Sequence, residues 1–243
     1  MKIKFIALSL LMAVFVSSCS DSTSDEFNDA NGDAQAKYIK TITSSTTEDG
    51  STTVTINYDS SGKVTNVTDG TDSSVFSYEN NSLANVTGDG DPFVISELYQ
   101  APYEAYEIGE VLVYDAAGNP TDIRLFQEND GAEIEEFSAK VTYGTAPNAF
   151  FHTLKAAGII EVLDNVQLNL NMQGLPQQLV QAKVMLPVNN PTKVVIKDAQ
   201  GNVVSTTVTS YVYNDANYPT SAIVTSTEDG DTETASFTFT YKN

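Results

Sequence analysis

The stretch Tyr99-Gln100-Ala101-Pro102-Tyr103-Glu104-Ala105-Tyr106-Glu107 has the residue types of a binding surface. Sugar rings lay their C–H faces on aromatic rings, and carboxylates accept hydroxyl hydrogens. Tyr99, Tyr103, Glu104, Tyr106 and Glu107 are therefore a candidate ligand-binding strip for a glycan. The alternative is an irregular crossing where the same tyrosines close the core. Other chemistry has little to build on. The 243 residues include one Cys, one His and no Trp. Cys19 and His152 are each alone, so neither a nucleophile–base triad nor a His/Cys zinc site can be assembled. No catalytic residue, metal or cofactor is expected. Asp89-Gly90-Asp91 and Asp229-Gly230-Asp231 offer paired carboxylates but lack the distal Glu of a calcium loop, and they read as plain turns. Glu133, Glu135 and Glu136 are close in sequence, as a glycosidase's two acids would have to be in space. Glu133 and Glu135, however, share a strand face and read as solvated edge residues.

The 32 Asp and Glu against 12 Lys and Arg leave a formal charge of -20. So acidic a surface repels phosphate, which excludes nucleic acid as a partner. At 41% hydrophobic residues the chain can bury a core.

The N-terminus supplies an address. Lys2 and Lys4 precede an apolar run from Phe5 to Val16, too short for the roughly 20 residues that span a bilayer. Val16-Ser17-Ser18-Cys19 follows. Small residues directly before a Cys resemble the lipobox of bacterial lipoproteins, in a looser form with Val and Ser at its variable positions. The resemblance implies a signal peptide over 1–18, cleavage before Cys19 and acylation of that residue. Several acyl chains on one residue anchor stably, whereas a single chain does not. Ser20-Asp21-Ser22-Thr23-Ser24-Asp25-Glu26 and the polar residues after it read as an acidic flexible tether over 19–36. The tether also resembles the export signal that sends Bacteroidota lipoproteins to the outer face of the outer membrane. A body this acidic is repelled by anionic head groups, so the lipid would be what holds it.

Residues 37–243 read as a single all-β domain. Val54, Ile56 and Tyr58 alternate with Thr53, Thr55 and Asn57, and Phe237, Phe239 and Tyr241 alternate with Thr238 and Thr240. In the first half, turn clusters recur about every 9–12 residues, which predicts an antiparallel up-and-down meander. One unit repeats: Tyr58-Asp59-Ser60-Ser61-Gly62-Lys63-Val64 matches Tyr114-Asp115-Ala116-Ala117-Gly118-Asn119-Pro120, with looser copies at Tyr78 and Tyr213. Tyr ends a strand, the acid caps a turn, and Gly or Asn takes the left-handed position.

This unit resembles the YD repeat of Rhs-type proteins. With the lipobox, Tyr143-Gly144-Thr145-Ala146-Pro147-Asn148-Ala149-Phe150 and Tyr211-Val212-Tyr213-Asn214, the chain is similar to Bacteroidota lipoproteins carrying a domain of unknown function with a porin-like fold. That resemblance implies a meander curled into a barrel or strongly curved sheet, and no activity. One short helix is predicted over about 148–157, with Asn148 as N-cap and Gly158 as C′, and a second over Leu175–Lys183. Ile159–Leu170 reads as strand or core loop. There is no Trp and many strands are short with hydroxyl faces, so the sheet is expected to be tethered rather than membrane-spanning. The expected function is a lipid-anchored, non-enzymatic binding scaffold at the outer membrane, with a glycan or protein partner. A paired-carboxylate hydrolase and a structural envelope spacer are the alternatives.

Overall fold

The structure is a computed structural model describing residues 22–32, 34–46, 50–99, 103–104, 110–128, 134–170, 178–181 and 186–242. Cys19 and the signal segment lie outside the described residues. The first half holds α1 (Thr23–Asn31), β1 (Ile39–Thr46), β2 (Gly50–Tyr58), β3 (Val64–Thr68), β4 (Ser73–Glu79), β5 (Ser82–Thr87), β6 (Phe93–Val94), α2 (Ile95–Leu98), β7 (Tyr103–Glu104), β8 (Glu110–Tyr114) and β9 (Pro120–Glu128). Next come β10 (Ile134–Pro147), α3 (Phe151–Ala156), α4 (Ile159–Asn165), β11 (Gln167–Leu170) and β12 (Gln178–Gln181). The chain closes with β13 (Asn189–Asp198), β14 (Val203–Tyr213), β15 (Pro219–Glu228) and β16 (Asp231–Tyr241).

Thirteen strands form one antiparallel sheet in the order β6-β5-β4-β3-β2-β1-β16-β15-β14-β13-β10-β9-β8. Two meanders therefore join where the first strand pairs with the last, and the sheet stays open with β6 and β8 as its edges. It is nonetheless strongly curved. Leu83 of β5 and Ile95 of α2 share one buried cluster with Val111 of β8, Ile123 of β9, Ala139 and Val141 of β10, and Val162 and Val166 around α4. Both ends of the sheet thus converge on α4. Gly158, between α3 and α4, makes that convergence feasible. It has φ +78, and a Cβ there would stand 2.9 Å from the Cβ of Leu83.

The repeated turn is the same object each time. In the β2–β3 turn an Asp59 Oδ1 accepts from the backbone N–H of Ser61 (2.8 Å) and Lys63 (3.0 Å). Asp115, Asp198 and Asn214 accept in the same way from the N–H groups two and four residues on. Gly62, Gly118, Gly201 and Asn217 take the positive φ that follows. Tyrosine does something the sequence did not disclose. The hydroxyls of Tyr58, Tyr78, Tyr143, Tyr211 and Tyr241 donate to the carbonyls of Ile39, Val64, Pro120, Pro191 and Pro219, at 2.6–3.0 Å. Each bond ties the end of one strand to the start of the strand before it, bracing five hairpins at one rim.

Three expectations need correction. The helix predicted over 148–157 is present as α3, but α1, α2 and α4 were not foreseen. Ile159–Asn165 is helical, and the helix buries two sides against different clusters: Val162 (8% exposed) packs into the curve of the sheet, while Ile160 (0%) packs with Phe27, Phe151 and Val188, and this two-sided burial overrides their β-branched preference. In place of a helix within Leu175–Lys183, Gln178–Gln181 is a strand paired with Gln167–Leu170. Finally, part of the expected flexible tether is folded. Ser22 and Asp25 form a reciprocal capping box that starts α1, and Phe27 is buried with its ring stacked on Phe151 at 3.7 Å between centroids.

Candidate functional site

β10 and β13 pair regularly until Tyr143 meets Pro191; the next pair is Pro147 with Asn189. Three residues of β10 (Gly144, Thr145, Ala146) therefore stand against one of β13, Asn190. Such bulges open a ladder and re-aim its side chains. A hollow of about 340 Å³ lies here, lined by Gly144, Thr145, Ala146, Thr192, Thr209, Tyr211, Tyr213 and Asn217.

Buried asparagines hold the opened backbone in place, as unpaired peptide groups require. Asn189 Nδ2 donates to the carbonyls of Thr145 (3.4 Å) and Ala146 (3.3 Å), and its Oδ1 accepts from Asn119 Nδ2 (2.9 Å). Asn190 Nδ2 donates to the Pro147 carbonyl (2.7 Å), while its Oδ1 accepts from the N–H of Ala149 (3.0 Å). Asn119, Asn189 and Asn190 are each under 5% exposed. Asn119 falls within the repeated turn unit, whereas no motif of the sequence includes Asn189 or Asn190. The adjacent Asn189-Asn190 between Val188 and Pro191, at the head of an apolar strand, was the available signal.

The walls are aromatic and hydroxylic. Tyr211 and Tyr213, two apart on β14, share a face, with ring centroids 5.6 Å apart and planes inclined by 33°. Burial raises both phenols above their ordinary value. For Tyr211 the charge of Tyr213 adds to this, and for Tyr213 a hydrogen bond with the Asn190 side chain works against it. Both are neutral hydroxyls at physiological pH. The Tyr211 hydroxyl is committed to the Pro191 carbonyl at 3.0 Å, and Thr192 Oγ1 to the Thr142 carbonyl at 3.1 Å. Among the described residues that line it none carries a charge, in a chain of net charge -20. An open hollow of about 600 Å³ adjoins it through Asn217 and is lined also by Ala34, Gln35, Lys37 and Asn214–Ala216. We place the site in the smaller hollow because the larger one has no aromatic wall.

Of the strip singled out from sequence, Tyr99 does not line this hollow. Tyr99 is 48% exposed at the end of α2. Tyr103 and Glu104 form the short strand β7, parallel to β11, but their side chains lie outside the described set, as do Tyr106 and Glu107. The strip is thus neither assembled nor excluded. Glu133 is likewise outside. Glu136 pairs with Arg124 at 3.2 Å, and Asp122 with Lys140 at 3.3 Å, on exposed strand faces. Asp72 is raised by its hydrogen bond with Asp89 and then by that residue's charge, and both acids sit on exposed turns. Among the described residues no group of three or more His, Cys, Asp or Glu comes together. His152 packs edge-on to Phe27 and Phe151, 5.3 Å from each, and its Nε2 is buried without a hydrogen-bond partner.

No family model matches the chain, and no curated protein matches it. Among solved structures it is similar to a porin-like protein from Bacteroides vulgatus, at 11% identity and a TM-score of 0.42, covering 85% of this chain and 99% of that one. A porin-like protein from Bacteroides uniformis is similar at 12% identity and 0.41, covering 84% and 98%. A putative outer membrane lipoprotein-sorting protein domain from Vibrio parahaemolyticus follows at 10% identity and 0.28, covering 91% of each chain. Likeness at this level leaves the function to be read from the chain's own residues.

Proposed function

We propose that this protein is a lipid-anchored scaffold outside the cytoplasm, held at the outer membrane through Cys19, that binds a neutral saccharide without transforming it. The observation that carries this reading is the uncharged hollow at the β10 bulge. Its volume of about 340 Å³ is at the small end of the range for ligand pockets, and it combines paired aromatic faces with hydroxyls and an amide. The rings of Tyr211 and Tyr213 offer surface for the C–H face of a pyranose, while Thr145, Thr209 and Asn217 offer donors and acceptors for its hydroxyls. An acidic glycan would meet a chain of -20, so a neutral one is favoured.

Electrophoresis through gels containing neutral polysaccharides (mannan, laminarin, xyloglucan) or acidic ones (polygalacturonate) tests this. At least one neutral gel is expected to retard the protein, and acidic gels are not. Tyr213→Ala is expected to weaken retardation about tenfold, the loss of roughly 1.4 kcal/mol. Asn217→Gly, which preserves the left-handed backbone while removing the amide, should weaken it less. Retention in both variants with loss in Tyr99→Ala would move the site to the Tyr99–Glu107 strip. Free passage through every gel would reject saccharide binding.

A further inference from the structure

We propose that α1 is a docked strap that fixes which end of the protein faces the membrane; this rests on the reading of Cys19 as the lipid-bearing residue. α1 is held at separate points along its length. The backbone N–H of Thr23 donates to Asp164 Oδ1 at 3.0 Å, and the Thr23 hydroxyl donates to the same oxygen. Lys155 Nζ reaches Ser24 Oγ at 3.0 Å. Phe27 is 1% exposed and packs with Phe151, Ile160 and Val188. At the far end, Asn31 Nδ2 donates to the Val188 carbonyl (3.0 Å) while its Oδ1 accepts from Asn189 Nδ2 (3.0 Å).

Docking changes the leash. A free chain from residue 19 to 36 would have a root-mean-square reach of about 20–25 Å, and would let the body turn in any direction. With α1 held, only three residue steps separate Cys19 from Ser22, the cap of the docked helix, a span of at most about 11 Å. The membrane-facing end is then the one built from α1, the C-terminal turn of α4 and the turn at Ala117, which packs against the same cluster as Phe27. Acyl chains on Cys19 can hold this end to a bilayer that the protein's charge would otherwise repel. The β15–β16 turn at Asp229 and Gly230 lies at the opposite rim and points away. Ala34, Gln35 and Lys37, just after the strap, line the open hollow beside the candidate site, so that hollow stands near the lipid.

The test uses the mature protein purified from its own cells. Mass spectrometry of the N-terminal residue comes first, and an unacylated Cys19 would overturn the anchor reading and this orientation with it. Hydrogen exchange is then expected to show residues 23–31 protected in the wild type and released in Phe27→Asp, with the sheet protected in both. On a supported bilayer, neutron reflectometry should place the wild-type protein layer directly against the head groups. In Phe27→Asp a hydrated gap of the order of 10–15 Å should open, the difference between the two leashes. An acylated wild type with unprotected α1, or with the same gap as the variant, would overturn the strap while leaving the anchor intact.

Discussion

Tyr218 and Tyr241 meet ring to ring, 5.9 Å apart, yet their hydroxyls are in opposite circumstances. That of Tyr241 donates to the Pro219 carbonyl at 2.7 Å, whereas that of Tyr218 is buried with no hydrogen-bond partner. Tyr241→Phe should therefore cost about 1 kcal/mol, and Tyr218→Phe should be neutral or slightly stabilising. Urea midpoints at unchanged slope would check both. His152 gives a pH dependence. Burial, followed by the nearby Lys155 charge, lowers its pKa from the ordinary 6.5, so the unfolded chain takes up a proton first as pH falls. Its contribution to stability is complete above pH 6.5 and is lost between that value and the lower folded one. The melting temperature of the wild type relative to that of His152→Phe should thus fall from pH 7.5 to 5.5. A melting temperature that keeps a constant offset from the variant's would mean that the folded environment does not disfavour the charged imidazole. The sequence could expose neither role. A lone His beside Phe151 and a Tyr before Pro219 look ordinary until distant strands surround them.

The elements divide by how local their causes are. The hairpin turns were legible because Asp59, Asp115 and Asp198 bond to N–H groups within four residues, and Gly follows each where φ turns positive. Asp59 and Asp198 are held below the ordinary carboxylate range by hydrogen bonds, from Ser61 and Asn202 above all. Their stabilisation is present above pH 3.8 and fades as pH falls through the depressed values. The helices were read less well because long-range burial decides them: α4 fills the curve of the sheet and α1 is secured by Phe27. The polar flanks of α1 look like a tether, although Ser22-x-x-Asp25 carried the capping signal. Gly158 belongs to both categories. Its place after α3 was readable as a C′ glycine, but its 2.9 Å approach to Leu83 was not. Gly158→Ala combines a clash with a left-handed backbone and is expected to destabilise by about 2–3 kcal/mol. Gly62→Ala, with open space around its Cβ position, should cost only about 1 kcal/mol. Thermal unfolding of the pair separates the two effects, and equal losses would show that Leu83 yields freely.

At the scale of the whole molecule, the all-β meander was readable from period-two alternation. The junction of its two halves was not, because pairing of β1 with β16 spans nearly the entire chain and no local pattern reports it. The candidate site was missed for the same reason. Gly144 to Ala146, Thr192 and Tyr211 to Asn217 come from three strands and a turn, and the asparagines that open the ladder between them are polar residues buried from afar. The two segments supplying most of the lining, Tyr143–Phe150 and Tyr211–Asn214, did stand out as motifs, although no role attached to them. The charge of -20 also acquires a distribution: acids cap turns and line exposed faces, while the hollow is neutral. The proposed function requires a saccharide in that hollow, and an amide NMR titration with the neutral oligosaccharide derived from the most retarding gel tests this most directly. The resonances of Gly144, Thr145, Thr192, Tyr213 and Asn217 are expected to shift together and saturate, with the opposite rim at Asp229 unmoved. Saturating shifts confined to other surfaces, with these five unchanged, would contradict it.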